Sequence, residues 1–330
     1  MDIVLNFLLL VIGFIFLIKG ADFFVVSSSS MARKHNISPL IIGLTLVAFG
    51  TSLPELAVSF VSSLTVEPGM TADIALGNVI GSNIVNITLI LGLTALVRAV
   101  PVSPTMHKRE FPYLILATIV IAALVFFFQS DYLISQWEAL ILLLLFGFYI
   151  YLMMTNKNQP IDNIEIKVID SKKAILLLIV GIAGVSLGGF MVTKGAEFLA
   201  VKLLVESVGM TITKATTLVG LSIVAVGTSL PEMVTSVVAA KKGENEIAFG
   251  NIVGSNIFNI LFILGLSGIF TPLGVNTDVA IDTLILIPIT LFAVIFAISK
   301  EKVSRLEGFV LVCIYMMYLV YIILRALSIF

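Results

Sequence analysis

The 330-residue chain is 59% hydrophobic and only 12% charged, and its mean hydropathy is +1.16. A soluble domain carries about 25% charged residues, so this composition excludes an ordinary soluble protein and indicates lipid as the solvent. The net charge of −1 gives no general attraction to nucleic acid, and the single cysteine, Cys313, excludes an intramolecular disulfide.

Apolar runs of roughly 20 residues, the length that a helix needs to cross a bilayer, recur along the whole chain. Backbone polar groups cannot be left bare in hydrocarbon, so these runs form either helices or a closed barrel. The runs lack the period-2 alternation of barrel strands. We therefore predict an all-α membrane protein with ten transmembrane helices, near 3–28, 38–64, 71–97, 110–129, 136–154, 174–203, 214–240, 246–270, 279–299 and 305–327.

The positions of Lys and Arg predict the orientation of these helices. If the N-terminus lies outside, the inward loops carry most of the 19 basic residues, and the outward side holds only Lys202, Lys214 and Arg325. This asymmetry satisfies the positive-inside rule. With ten helices the C-terminus also lies outside. The first apolar run starts with Met1-Asp2 and has no small-residue cleavage site, so we interpret it as a retained span rather than a signal peptide.

The chain contains an internal repeat. Residues 43–55, GLTLVAFGTSLPE, return at 220–232 as GLSIVAVGTSLPE, and residues 77–92, GNVIGSNIVNITLILG, return at 250–265 as GNIVGSNIFNILFILG. Each copy contains five predicted helices, and because five is odd the copies enter the membrane from opposite sides. Such inverted-topology transporters bind substrate near the midplane where the repeats meet. We predict a first five-helix repeat over 1–154, a cytoplasmic linker over 155–173 and a second repeat over 174–330.

Two acidic residues occupy equivalent places in the repeats. Glu55 is the only charge in the second predicted helix, and Glu232 is the only charge in the membrane part of the seventh. A carboxylate at this depth costs at least a few kcal/mol and is a functional hypothesis by default. Two such carboxylates at one repeat interface would repel each other, and protonation or a bound cation must relieve that repulsion.

The GTSLPE motif surrounds each glutamate with further oxygen atoms. Thr51 and Ser52 precede Glu55 by one helical turn and share its face. Pro54 has no N–H and clashes with the carbonyl four residues earlier, so the helix should break there. We expect the same arrangement at Thr228, Ser229 and Pro231, and we expect both breaks to free the carbonyls around Ala48 to Gly50 and Ala225 to Gly227.

The neighbouring GNxxGSN motif adds a polar stripe. Residues recur every four positions on one helix face as Asn78, Ser82, Asn86 and again as Asn251, Ser255, Asn259. The glycines at 77, 81, 250 and 254 should let backbones approach closely. Both histidines lie in basic loops, so the pocket contains only oxygen ligands, which select hard cations such as Ca²⁺.

These doubled motifs resemble the paired alpha-repeats of the cation/calcium exchanger superfamily, in particular its prokaryotic-type sodium/calcium exchangers. The resemblance covers nearly the whole chain and implies a secondary transporter that exchanges Ca²⁺ for Na⁺ by alternating access, with the first and sixth helices sliding across a fixed core. It implies that Glu55 and Glu232 are the central Ca²⁺ ligands. It also implies that Ca²⁺ and Na⁺ coordination is shared by Thr51, Thr228, Ser52, Ser229, Ser82 and Ser255 with the carbonyls of Ala48 and Ala225.

Two further features bear on this resemblance. Potassium-dependent members, and some prokaryotic ones, have Asp where this chain has Asn259, so K⁺ co-transport is disfavoured and proton coupling is weakened. The pairs Lys19/Asp22 and Lys194/Glu197 have i,i+3 spacing, which permits local ion pairs on the sliding helices.

We expect Ca²⁺, Na⁺ and the lipid bilayer as partners, with no cofactor, no nucleic acid and no obligate protein partner, in the plasma membrane. The alternatives are an H⁺/Ca²⁺ or other divalent-cation antiporter, a passive cation channel, and an intramembrane enzyme using the glutamate pair. No nucleophile-and-base set accompanies the pair, so the enzyme is the weakest of these.

Overall fold

The apolar runs form helices in the computed structural model, which describes residues 2–35, 37–65, 71–128, 133–155, 169–207, 209, 211–212, 219 and 225–326. The helices are α1 (Asp2–Lys34), α2 (Pro39–Thr51), α3 (Leu53–Leu64), α4 (Ile74–Val97), α5 (Met106–Phe127), α6 (Gln136–Thr155), α7 (Ser171–Glu206), α8 (Ala225–Thr228), α9 (Leu230–Lys242), α10 (Asn245–Phe270), α11 (Thr277–Ser299) and α12 (Arg305–Ala326).

Within those residues, eight helices are long and apolar enough to cross a membrane, and the bent pair α2–α3 makes nine. This is the architecture of a multi-pass membrane protein. The predicted helix at 214–240 includes α8 and α9, and most of its first half lies outside the described residues.

The first helix is longer than predicted and reaches Lys34 rather than residue 28. The four serines at 27 to 30 suggested that the helix ends there in a polar segment, but all four side chains are buried. Three of the four hydroxyls have partners: Ser27 donates to the carbonyls of Phe23 and Phe24 in its own helix, Ser29 donates to Glu244 Oε1 at 2.7 Å, and Ser30 accepts from the Ile169 N–H at 3.0 Å. The Ser28 hydroxyl has no hydrogen-bond partner among the described residues. A polar run can therefore continue a helix where most of its hydroxyls find hydrogen-bond partners.

Helices α4 and α10 form the centre of the molecule. Of the most apolar 18-residue stretch of each, 83% is buried, against 17% for α1. These two helices carry the two copies of the GNxxGSN motif. The motif therefore lies in the two most buried spans of the molecule.

Helix α1 packs closely along α7 through glycines. A Cβ added at Gly188 would lie 2.6 Å from the backbone nitrogen of Leu17, and one added at Gly181 would lie 2.7 Å from that of Phe24. Backbones at this distance tolerate only glycine. The first and sixth predicted spans therefore contact each other directly.

Two short antiparallel ladders, which the all-α prediction did not include, join loops from distant parts of the chain. Strand β1 (Val100–Pro101) pairs with β4 (Lys302–Val303), and β2 (Leu133–Ile134) pairs with β3 (Leu273–Gly274). Each ladder holds two inter-helix loops together at one end of the helices.

Candidate cation site

Both copies of GTSLPE break a helix at the same serine. Ser52 separates α2 from α3 with φ −82° and ψ 11°, and Ser229 separates α8 from α9 with φ −88° and ψ 7°. The axes of α2 and α3 differ by 51°. Each serine occupies the sparsely populated bridge region, and proline follows two residues later in the first turn of the next helix. The predicted break is therefore confirmed.

The break places each glutamate in the first turn of a new helix. Glu55 lies in the first turn of α3 and Glu232 in that of α9, and both are 0% exposed. A helix N-terminus carries a partial positive charge that favours a carboxylate. Each glutamate also lies next to the helix break of the other half, because the serine at that break bonds to its carboxylate. Two carboxylates from opposite halves of the chain thus share one buried region.

Each carboxylate is held by the serine of the other half. The Ser52 hydroxyl donates to Glu232 Oε1 at 2.7 Å, and the Ser229 hydroxyl donates to Glu55 Oε1 at 3.0 Å. The second oxygen, Oε2, of both glutamates is buried with no hydrogen-bond partner in the described part of the chain. The reciprocal bonds bring the two helix breaks together and leave one carboxylate oxygen of each glutamate unengaged.

An asparagine clamps the backbone behind each glutamate. Asn78 Nδ2 donates to Ser59 Oγ at 3.0 Å and to the Glu55 carbonyl at 3.3 Å. In the other half, Asn251 Nδ2 donates to Ser236 Oγ at 3.0 Å and to the Glu232 carbonyl at 3.4 Å. The polar stripe therefore meets the GTSLPE motif in both halves. At its first position the stripe orders the backbone of the helix that carries the glutamate.

The two threonines lie beside the glutamate of the opposite half. Thr228 is a neighbour of the Glu55 carboxylate, and Thr51 is a neighbour of the Glu232 carboxylate. The Thr51 hydroxyl also lies 3.0 Å from Asn251 Oδ1. These contacts add hydroxyl oxygens from both breaks to the same region.

The remaining stripe residues are buried and largely unengaged. Ser82, Asn86, Ser255 and Asn259 are at most 2% exposed. The hydroxyls of both serines and the side-chain oxygens of both asparagines have no hydrogen-bond partner among the residues that the structure describes. A π-helical turn begins at each asparagine, over Asn86–Ile90 and Asn259–Ile263. Such turns are frequent at functional sites.

In the first half, the Ala48 carbonyl is not freed by the helix break as expected. Ala48 O accepts the Ser52 N–H at 3.0 Å, so the carbonyl at Ala48 stays in the helix ladder, because proline removes the donor only from the turn that ends at Gly50. In the second half the Ser229 N–H donates to Val226 O at 3.1 Å, as in a 3₁₀ turn. In a regular helix that N–H would bond to the Ala225 carbonyl, so the Ala225 carbonyl does not receive its usual hydrogen bond from Ser229.

Close backbone approach is found for the glycines of the second stripe. A Cβ at Gly254 would lie 2.6 Å from the Leu44 carbonyl oxygen, and one at Gly250 would lie 2.9 Å from that of Leu40. At Gly77 the nearest atom is 3.6 Å away, and at Gly81 no atom of the described residues lies within 4 Å. The repeat relates Leu40 and Leu44 to the region near residues 217–221, which lies largely outside the described residues.

One predicted ion pair is wrong. Lys194 Nζ does bond to Glu197 at 2.9 Å, but Asp22 pairs with Lys242 at 2.7 Å rather than with Lys19. Asp22 reaches the end of α9 because α1 lies against that helix. The same end of α1 is held by Arg33, which bonds to Glu244 at 3.2 Å.

A cavity of about 720 Å³ opens beside the site between α3, α7 and α8. Its wall includes Pro54 and Thr228 near the helix breaks, and Thr65 and Lys194 at the far end. Most of the lining is apolar. The cavity connects the neighbourhood of the glutamates with one end of the helices.

Two buried asparagines beside the site were not predicted from the sequence. Asn83 and Asn256 are buried, and Asn83 contacts both Asn256 and Asn259 across the interface of α4 and α10. The signal was present, because GSN occurs at the same place in both repeats, but the four-residue stripe selected the adjacent serine.

The assembled groups are two carboxylates surrounded by neutral hydroxyl and amide oxygens. In the described parts of the chain, no cluster of three or more His, Cys, Asp or Glu side chains forms a metal site of the usual kind. Oxygen ligands of this kind suit hard cations. The limited negative charge suits a cation that enters and leaves.

Comparison with known proteins agrees with this chemistry. The sequence profile of one family, described as "Sodium/calcium exchanger protein", matches residues 5–155 and 173–324. The chain is 34% identical to the sodium/calcium exchanger MaX1 of Methanosarcina acetivorans, over 96% of this chain and 98% of that one. It is 37% identical to the inner membrane protein YrbG of Escherichia coli, over 80% and 79%. The structure of the sodium-calcium exchanger NCX_Mj soaked with zero Na⁺ and Ca²⁺ matches with a TM-score of 0.79 at 29% identity, over 97% and 99%.

Proposed function

Because the chain belongs to the sodium/calcium exchanger family, we propose that it is a secondary active antiporter that exchanges Ca²⁺ for Na⁺ by alternating access. The observation that carries the proposal is the reciprocal arrangement of two buried glutamates, each hydrogen-bonded by the serine of the other half. A pair of carboxylates so placed forms one site rather than two.

The proposed ligands come from both halves. Glu55 and Glu232 provide the charge, and one buried oxygen of each is unengaged by the described residues. The neutral oxygens come from Thr51, Thr228, Ser52, Ser229, Ser82, Ser255, Asn86 and Asn259 and from the carbonyls of Ala48 and Ala225. The Ala48 carbonyl would bind a cation while it still accepts the Ser52 N–H, because a carbonyl oxygen has two lone pairs. Ca²⁺ and Na⁺ are substrates of this site, and the proposed chemistry needs no cofactor.

Charge explains why exchange would be obligatory. Two carboxylates carry −2, which one Ca²⁺ or two Na⁺ cancel. Without a cation the pair would present two uncompensated charges in a low-dielectric interior, which is strongly unfavourable. The loaded protein can therefore change conformation more easily than the unloaded one. Ca²⁺ and Na⁺ compete for the same oxygens, so the entry of one drives the exit of the other.

We further propose ten transmembrane helices arranged as two inverted repeats, over residues 1–154 and 174–330, joined by the linker 155–173. The seventh helix would include α8 and α9. Contacts between loops support this plan, because touching loops must lie on the same side of the membrane. β1 with β4, and Arg33 with Glu244, join loops predicted inside, whereas β2 with β3 joins loops predicted outside. Both termini would then lie outside the plasma membrane.

The cavity beside the site would serve as the path for ions from the outer side. It runs from Thr228 at the site to Thr65 at the end of α3, which this topology places outside. The wall of the cavity is mostly apolar and carries a few serine and threonine hydroxyls. A path of this kind offers passing cations few places to bind before they reach the glutamates.

The test is uptake of ⁴⁵Ca²⁺ into proteoliposomes that contain the purified protein. Vesicles are preloaded with Na⁺, K⁺ or choline at equal pH and osmolarity, and a further set receives a pH jump without Na⁺. We expect rapid uptake only with internal Na⁺. Equal uptake with choline would refute obligatory exchange, and uptake driven by the pH jump alone would replace Na⁺ with H⁺ as the coupling ion. Single-channel currents in planar bilayers would indicate a channel.

A further inference from the structure

Two asparagine side chains link α4 and α10 beside the proposed site. Asn83 and Asn259 are both buried. Asn83 Nδ2 donates to the backbone carbonyl of Asn256 at 3.2 Å, and Asn259 Nδ2 donates to Asn83 Oδ1 at 3.2 Å. These bonds form a short chain that begins at a backbone carbonyl and ends at the Asn259 amide.

The chemistry of this chain fixes which way each amide faces. A backbone carbonyl only accepts hydrogen bonds, so Asn83 must present its NH₂ group to Asn256. Its oxygen then faces Asn259, and since that oxygen also only accepts, Asn259 must present its own NH₂ group. Asn259 Oδ1 is consequently turned away from Asn83, and it is buried without a hydrogen-bond partner among the described residues.

The freed oxygen belongs to the face of α10 that contacts the Glu232 backbone. Asn259 lies two turns along the helix from Asn251, whose amide clamps the Glu232 backbone. Between them lies Ser255, whose hydroxyl is also buried without a partner in the described chain. Residues at this four-residue spacing share one face of a helix.

From this geometry we propose that Asn83 is a positioning residue that holds the Asn259 amide with its oxygen toward the cations. The inference rests on the proposed cation site and adds a device to it. Were the Asn259 amide to turn over, its oxygen would oppose Asn83 Oδ1 and its NH₂ group would repel a bound cation. Asn83 excludes that state, so this position supplies Na⁺ or Ca²⁺ with a neutral oxygen ligand already aimed.

The first half lacks this device. The repeat relates Asn259 to Asn86 and Asn83 to Asn256. Asn256 Nδ2 donates to Ile252 O of its own helix at 2.7 Å instead of reaching across, and both amide atoms of Asn86 have no partner within the described residues. The orienting bond is therefore specific to the α10 side of the site.

A double-mutant cycle tests the proposal, with ⁴⁵Ca²⁺ equilibrium binding to the purified protein as readout. Leucine is nearly isosteric with asparagine but forms no hydrogen bonds, so Asn83→Leu releases the Asn259 amide. Loss of a partner that orients a metal ligand typically costs 10–100-fold in affinity, and we expect the half-saturating Ca²⁺ concentration to rise by about that factor. Asn256→Leu is the matched control, because that side chain bonds within its own helix and lines a small apolar cavity.

The second arm of the cycle uses Asn259→Asp. An aspartate presents an oxygen whichever way it turns, so it needs no orientation. In that background Asn83→Leu should change Ca²⁺ half-saturation by less than about threefold. A purely structural role of Asn83 would weaken binding equally in both backgrounds, and that result, or unchanged binding in the single variant, would overturn the proposal. If the leucine variant is not monodisperse, Asn83→Ala removes the same amide without adding bulk.

The cycle also separates this inference from the proposed function. Binding is measured without any coupling ion, whereas the function is tested by Na⁺-dependent uptake of the wild-type protein. Na⁺-dependent uptake together with equal effects in both backgrounds would reject only the role of Asn83. Uptake that does not depend on Na⁺ would reject the exchange mechanism, whereas the double-mutant cycle would still test the role of Asn83, because it measures Ca²⁺ binding alone.

Discussion

Neutralising either buried carboxylate is expected to weaken Ca²⁺ binding far more than Na⁺ binding. Glu55 and Glu232 are fully buried and share one region. With both ionised, one Ca²⁺ brings the site to zero charge. After Glu55→Gln or Glu232→Gln, a bound Ca²⁺ leaves a net charge of +1, whereas one Na⁺ is still neutralised.

The magnitude follows from the cost of an uncompensated charge inside a membrane. On insertion scales, a charge at the centre of a membrane helix costs about 2.5–3.5 kcal/mol. Since 1.4 kcal/mol corresponds to a tenfold change in affinity, the half-saturating Ca²⁺ concentration should rise roughly 60–300-fold. Binding of a single Na⁺ should change by about tenfold or less, because it loses one ligand and gains no net charge.

The assay is parallel equilibrium binding of ⁴⁵Ca²⁺ and ²²Na⁺ to the purified variants, followed by Na⁺-dependent uptake in vesicles. Glu138→Gln is the matched control. Glu138 also lies in the first turn of a helix, but its carboxylate caps that helix through the N–H and hydroxyl of Ser135, at 2.6 and 2.8 Å. Undiminished Ca²⁺ binding and uptake in both site variants would refute the assignment of the glutamates, and equal losses for Ca²⁺ and Na⁺ would refute the charge argument.

Two further predictions concern stability, measured as thermal unfolding of the purified protein. Arg109→Gln leaves the buried Glu110 carboxylate, now 2.7 Å from the Arg109 guanidinium, without its cation, which should cost about 3–5 kcal/mol; an unchanged midpoint would contradict this. Gly254→Ala places a Cβ 2.6 Å from the Leu44 carbonyl oxygen and should cost about 1–3 kcal/mol. Gly147→Ala, where no described atom lies within 4 Å of the added Cβ, should not destabilise, and equal losses for both alanines would refute the packing argument.

Local sequence patterns predicted most of the helices, the break at each GTSLPE motif and the two polar stripes beside it. Proline two residues after Ser52 and after Ser229 predicts a break there, and the repeat doubles the signal. Proline alone would not have been enough, because Pro288 lies inside α11 and that helix continues across it. The stripe led by Asn78 and Asn251 follows from helical periodicity alone. These features depend on residues within a few positions of one another, so a single sequence suffices to find them.

Features that depend on distant partners could not be predicted in the same way. Asp22 pairs with Lys242 instead of the nearer Lys19 because α1 lies against the end of α9. The orienting bond from Asn259 to Asn83 depends on the register between α4 and α10, which periodicity does not define. The π-helical turns could not be predicted either, because no residue type or spacing in the sequence marks a change from i→i+4 to i→i+5 hydrogen bonding.

The reciprocal serine bonds also indicate which part of the protein can move. A hydroxyl has one hydrogen and two lone pairs, so Ser52 can keep its hydrogen on Glu232 while its oxygen binds a cation. Binding then needs no rearrangement of the two helix breaks. Any motion of one break relative to the other would separate buried charged hydrogen bonds, which is costly. We therefore expect the two breaks to stay together through the transport cycle, and we expect α1 and α7, packed backbone to backbone through Gly181 and Gly188, to move as a separate pair that exposes the site to each side in turn.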